Sequence, residues 1–165
     1  MDPYDFALQT EKDAEALYRK LAVENPSRGV SAIFTLLARA EVEHYSTILA
    51  MKNAQAPQSG CTKILDEAKS IFLMLQDPVA APFVDQNRAQ PYVHQYRRGQ
   101  ELERQSAAFY RDKAAVETPG IAEIFRRLAD EEDRHYWVLH NIIEHVSRPD
   151  FGWIEFAEWH HLDRY

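Results

Sequence analysis

Residues Gly29 to Tyr45 read GVSAIFTLLARAEVEHY, and residues Gly120 to Tyr136 read GIAEIFRRLADEEDRHY. A shift of 91 places Gly29, Ile33, Phe34, Leu37, Ala38, Glu41, His44 and Tyr45 on Gly120, Ile124, Phe125, Leu128, Ala129, Glu132, His135 and Tyr136. In the first stretch Ile33, Leu37, Glu41, His44 and Ile48 follow one another at steps of three and four. Ile124, Leu128, Glu132, His135, Leu139 and Ile142 do the same in the second. That period sets each series on one face of a helix. The face is apolar except at Glu and His. A bare carboxylate in a core is costly unless something pairs with it. The same Glu-x-x-His pair in mid-helix, twice, therefore points to a bound cation that both side chains can serve.

Upstream of each stretch lies a second helical segment. A shift of 92 places Glu11, Tyr18, Arg19 and Ala22 on Glu103, Tyr110, Arg111 and Ala114. The two shifts differ by one residue, which a turn can absorb. Glu11 shares its stripe with Ala7, Ala14, Tyr18 and Leu21, and Glu103 shares one with Gly99, Ser106, Ala107 and Tyr110. Small neighbours leave room beside each carboxylate. Each half is thus a helical hairpin of one design, and two such halves can pack about a pseudo-twofold axis at a shared core.

The breaks fall where the hairpins turn, at Asn25-Pro26-Ser27-Arg28-Gly29 and Thr118-Pro119-Gly120. The expected helices run from about Pro3 to Asn25, Val30 to Ala54, Tyr92 to Glu117, and from a Thr118 cap to about Val146. Between the second and third lies a long connection. It is expected to hold a short amphipathic helix, Ile64 to Leu75, and a Pro-containing stretch, Asp77 to Pro91. Such a connection can carry the chain from one end of a bundle to the other. Residues 1–147 read as the bundle and 148–165 as an aromatic extension with a short helix. Phe151, Trp153, Ile154, Phe156 and Trp159 are more apolar surface than a lone short helix hides, so the extension is expected to cover the bundle or a homodimer contact.

The chain has 165 residues, 45% of them apolar and 27% charged, with a formal charge of −7. This is the composition of one ordinary globular domain. The acidic balance argues against nucleic acid as a partner. No apolar run is long enough to span a membrane. Met1 to Lys12 lacks the basic-then-apolar pattern of a signal peptide. Cys61 is the only cysteine. A cytoplasmic location is expected, and a Cys-ligated zinc or rubredoxin-type iron centre is excluded for this chain.

The candidate ligands are Glu11, Glu41, His44, Glu103, Glu132 and His135. A Glu from each of two helices, with Glu-x-x-His from each of the other two, is the di-iron carboxylate pattern. Four carboxylates balance two divalent ions, and oxygen and imidazole donors suit iron or manganese. A single Glu-x-x-His carries little weight. Glu158 and His161 make a third copy with no repeat partner, which reads as a chance match. The competing reading is a bundle whose Glu and His are solvated or paired with Arg39 or Arg127.

Glu11 to Tyr18, Glu41-Val42-Glu43-His44, Glu103 to Tyr110 and Glu132-Asp133-Arg134-His135 resemble the rubrerythrin branch of the ferritin-like superfamily. The resemblance spans about Phe6 to His145. It implies an all-α, ferritin-like four-helix bundle with a long crossover between two helical hairpins. It implies two iron ions per chain, with manganese or zinc as substitutes. Glu41 and Glu132 would bridge them, Glu11 with His44 and Glu103 with His135 being terminal ligands. The activity implied is reduction of hydrogen peroxide or oxygen in oxidative-stress defence. The alternative is an iron-binding or ferroxidase protein that buffers or delivers iron. Full rubrerythrins also carry a four-cysteine rubredoxin domain, which this chain cannot hold, so an external donor such as a separate rubredoxin is expected. They place an extra carboxylate one turn after the third-helix ligand, where this chain has Ser106. That departure implies a slower reaction with peroxide.

Tyr18 and Tyr110 lie two turns from a ligand on its own face. They are candidates to hydrogen-bond a ligand carboxylate or to supply an electron to a trapped oxidant, against a plain core role. Tyr45 and Tyr136 are expected to pack. Glu15 and Glu43 lie off the inward stripes. His160 and His161 read as surface residues, and Cys61 has no neighbouring His to activate it.

Overall fold

The computed structural model describes residues 3–54, 68, 70–71 and 90–147. Among them the chain forms four long helices and no strand. They are α1 (Pro3–Glu24), α2 (Arg28–Lys52), α3 (Val93–Val116, entered through a 3-10 turn at Gln90–Tyr92) and α4 (Pro119–Ser147). The ends differ from the expected ones by one or two residues, for local reasons. The Ser27 hydroxyl accepts from the Val30 N–H at 3.4 Å and starts α2 ahead of its first apolar residue. Asn25 leaves α1 to accept from the Ser27 N–H at 3.0 Å, and Pro26 forbids continuation. Ala54 takes a left-handed φ of 53°, which ends α2. The Ala122 N–H donates to the Thr118 carbonyl at 2.7 Å, the first bond of α4.

The closest packing is within the hairpins, α1 on α2 and α3 on α4. Asn25, just past the end of α1, donates to the Tyr96 hydroxyl near the start of α3, while Tyr110, late in α3, reaches Glu11 early in α1. These helices are therefore antiparallel. Glu41 meets His135 and His44 meets Glu131, so α2 and α4 are antiparallel too. Lys52 at the end of α2 pairs with Asp5 at the start of α1. The end of α2 and the start of α3 thus lie at opposite ends of the bundle. The intervening chain has to travel its length, roughly 33 Å for a helix of 22 residues. These end positions are the ones the expected crossover requires; most of its own residues lie outside the described ones.

The core is split in two. One part gathers Tyr18, Leu21, Ile33, Phe34, Tyr96, Leu139 and Ile142; the other gathers Ala7, Ile48, Met51, Tyr110, Phe125 and Leu128. The halves obey the internal repeat. Tyr18 lies over Phe34 at 6.0 Å and 27°, and Tyr110 over Phe125 at 5.9 Å and 25°. Ala68 is buried in the first part and Ile71 packs against it. Ala68, Ser70 and Ile71 are helical, in line with the expected short helix. The rest of that helix, Cys61, and the extension with Glu158, His160 and His161 lie outside the described residues. No described helix is long and apolar enough to cross a membrane.

Candidate metal centre

Between the two parts of the core lies a polar layer. Glu11, Glu41, Glu103, Glu132 and His135 are each 1% exposed, and His44 is 2% exposed. All six sequence-derived candidates therefore meet in the middle of the bundle, one from α1, one from α3, and two each from α2 and α4. Glu41, His44, Glu132 and His135 place donor atoms within 4.8 Å of one another. Glu11 and Glu103 join at opposite sides, each near one imidazole.

The arrangement repeats almost atom for atom. Nδ1 of His44 lies 3.0 Å from Glu132, 3.5 Å from Glu11 and 3.6 Å from Glu41. Nδ1 of His135 lies 3.2 Å from Glu41, 3.6 Å from Glu103 and 3.7 Å from Glu132. Glu41 turns Oε1 to His135 and Oε2 to His44; Glu132 turns Oε1 to His44 and Oε2 to His135. Glu11 faces His44, and Glu103 faces His135. The two imidazole rings stack at 5.4 Å and 18°.

These contacts are close, but they are not hydrogen bonds. Glu11 Oε2, Glu41 Oε1, His44 Nδ1, both oxygens of Glu132 and His135 Nδ1 are buried with no hydrogen-bond partner. Orphaned buried polar atoms are rare, and each is expensive. Two donors about 2.1 Å from one ion, at about 90–120° to each other, would be about 3.0–3.6 Å apart. The observed separations run from 3.0 to 3.7 Å. The side chains are placed to hold metal ions.

Electrostatics reach the same point. Burial, then the charge of Glu132, pushes the Glu11 carboxyl well up; burial, then Glu41 and Glu132, does the same to Glu103. Burial opposes the charged forms of Glu41 and Glu132, yet the imidazoles turned toward them hold both below the usual carboxylate range. Burial also opposes the imidazolium form of both histidines. Glu132 at His44 and Glu103 at His135 lead the carboxylates that overcome it and raise both. Without metal, protons supply the positive charge that the carboxylates require.

The tyrosines complete the cage. Tyr18 donates to Oε1 of Glu103, and Tyr110 donates to Oε1 of Glu11. Each hydroxyl thus serves the candidate ligand of the other hairpin. Burial, then the bonded carboxylate, raises both phenols, so each remains a donor. Glu43 is exposed and Glu15 pairs with Arg19 at 2.6 Å. Arg127 pairs with Glu123 on the surface, at 3.4 Å from it, and does not neutralise the layer. Tyr45 packs beneath Lys12, and Tyr136 against Trp137. One polar contact escaped the sequence reading. Oε2 of Glu131, a residue 7% exposed, lies 3.2 Å from Nε2 of His44. Its signal was present, because position 131 is three residues beyond Leu128 and four before His135. Comparison with family models, curated proteins and solved structures finds no match.

Proposed function

We propose that this chain is a rubrerythrin-like di-iron carboxylate oxidoreductase that reduces hydrogen peroxide or oxygen. The observation that carries this reading is the pair of buried carboxylates, Glu41 and Glu132, each turning one oxygen to each imidazole. In this reading both carboxylates would serve both ions, with Glu11 and His44 holding one and Glu103 and His135 the other. Manganese or zinc could occupy the same donors. Iron held by these side chains would supply the electrons for reduction of a two-electron oxidant. Tyr18 and Tyr110 hold one oxygen of each terminal carboxylate and leave the other for metal. They also lie close enough to the ligands to act as one-electron donors to a trapped oxidant. The apolar layers above and below exclude bulk water from the ligands.

Iron uptake and oxidation without peroxidase turnover is the second reading, and it uses the same ligands. It is favoured by Ser106, buried where the resemblance expects a further carboxylate. Stopped-flow mixing of anaerobic di-ferrous protein with one equivalent of peroxide, and separately with oxygen, separates the two. Faster oxidation by peroxide, with turnover once a separate reduced rubredoxin is added, is the expected result. Faster oxidation by oxygen, with ferric iron then released or stored, would move the assignment to iron handling.

A further inference from the structure

The pseudo-twofold is broken at the histidines. Glu131 sits against Nε2 of His44, on the far side of the ring from Nδ1 and its three carboxylates. The 91-residue step that relates His44 to His135 maps Glu131 onto Ala40, whose methyl accepts no hydrogen bond. A carboxylate on the far nitrogen fixes the imidazole tautomer and raises its strength as a ligand. We propose that Glu131 is a positioning residue that makes the two metal positions unequal. The ion between Glu11 and His44 binds first and more tightly than the ion between Glu103 and His135. This inference rests on the two-metal reading above.

The test titrates metal-free full-length protein with cobalt(II) alone, followed by visible absorbance and calorimetry. Two successive steps are expected, the first at least tenfold tighter. His135→Ala should keep the tight step, and His44→Ala should lose it. Glu131→Gln, which keeps the side chain's size, should weaken the tight step by about tenfold to a hundredfold and spare the other. General damage to the bundle would weaken both, and an unchanged melting curve of the metal-free variant serves as the check. Two ions bound with equal affinity would overturn the inference while leaving the metal centre standing. So would a Glu131→Gln variant that alters both steps equally or neither. Failure to bind cobalt at all would instead remove the two-metal reading itself.

Discussion

Tyr110 on α3 donates its hydroxyl hydrogen bond to Glu11 on α1, and the repeat reproduces this bond as Tyr18 to Glu103. Each hairpin therefore orients a buried carboxylate of the other, and the polar layer exists only when both halves are docked. Tyr110→Phe leaves a buried carboxylate oxygen without its donor. The expected loss is about 1–3 kcal/mol of metal-free stability, with weaker metal binding on the Glu11 side. Urea unfolding of the metal-free variant measures the first, and cobalt titration the second.

Gly99 faces the Tyr18 ring. A Cβ there would lie 3.1 Å from Tyr18 Cε1 and 3.3 Å from Leu139 Cδ1. The ring cannot easily yield, being tethered to Glu103 and packed on Phe34. Overpacking of this kind costs about 1–3 kcal/mol, against a gain of up to about 1 kcal/mol from replacing a helical glycine. Gly99→Ala should be net destabilising. Gly120→Ala, where the added methyl meets nothing within 4 Å, should be neutral or mildly stabilising. Denaturant midpoints of the two variants provide the comparison.

Much of this arrangement was legible in the sequence because the repeat doubled it. Glu41 and His44 alone would have been one motif among many; their match to Glu132 and His135 located the layer, and the stripe through Ile33, Leu37 and Ile48 gave its direction. Pairing between the hairpins was not legible. Helical spacing places Tyr18 on the face of Glu11, its own helix's candidate ligand, whereas the antiparallel packing of α1 on α3 delivers it to Glu103. Glu131 was missed for a related reason. Its partner, His44, lies 87 positions away, and the contact exists only once α2 packs on α4.

Metal-free protein should lose stability as pH rises. Glu11, Glu103, His44 and His135 all have raised pKa values in the fold, so the folded chain holds their protons more tightly than the unfolded chain. Their stabilisation is complete below the unfolded values, about 4.3 for Glu and 6.5 for His, and is lost as pH rises through the folded ones. The lowered Glu41 and Glu132 act in the opposite sense, but only at acid pH. The metal-free melting temperature should therefore fall as pH rises above about 6.5, the unfolded histidine value. Metal replaces those protons, so its binding should strengthen over the same range. Thermal melts across pH, with and without iron, check both directions.

Loaded protein should melt higher than metal-free protein, because metal that binds only the folded state stabilises it by linkage. Glu11→Gln removes one candidate ligand, so the gap between loaded and metal-free melting temperatures should narrow. Differential scanning calorimetry of both forms reads the gap.

The central claim is that six side chains in one buried layer hold two metal ions. Metal content after anaerobic ferrous loading and desalting tests it most directly. The wild-type chain should retain two ions, and Glu41→Ala and His135→Ala, each still folded, should retain fewer. Two ions per chain in both variants would contradict the assignment.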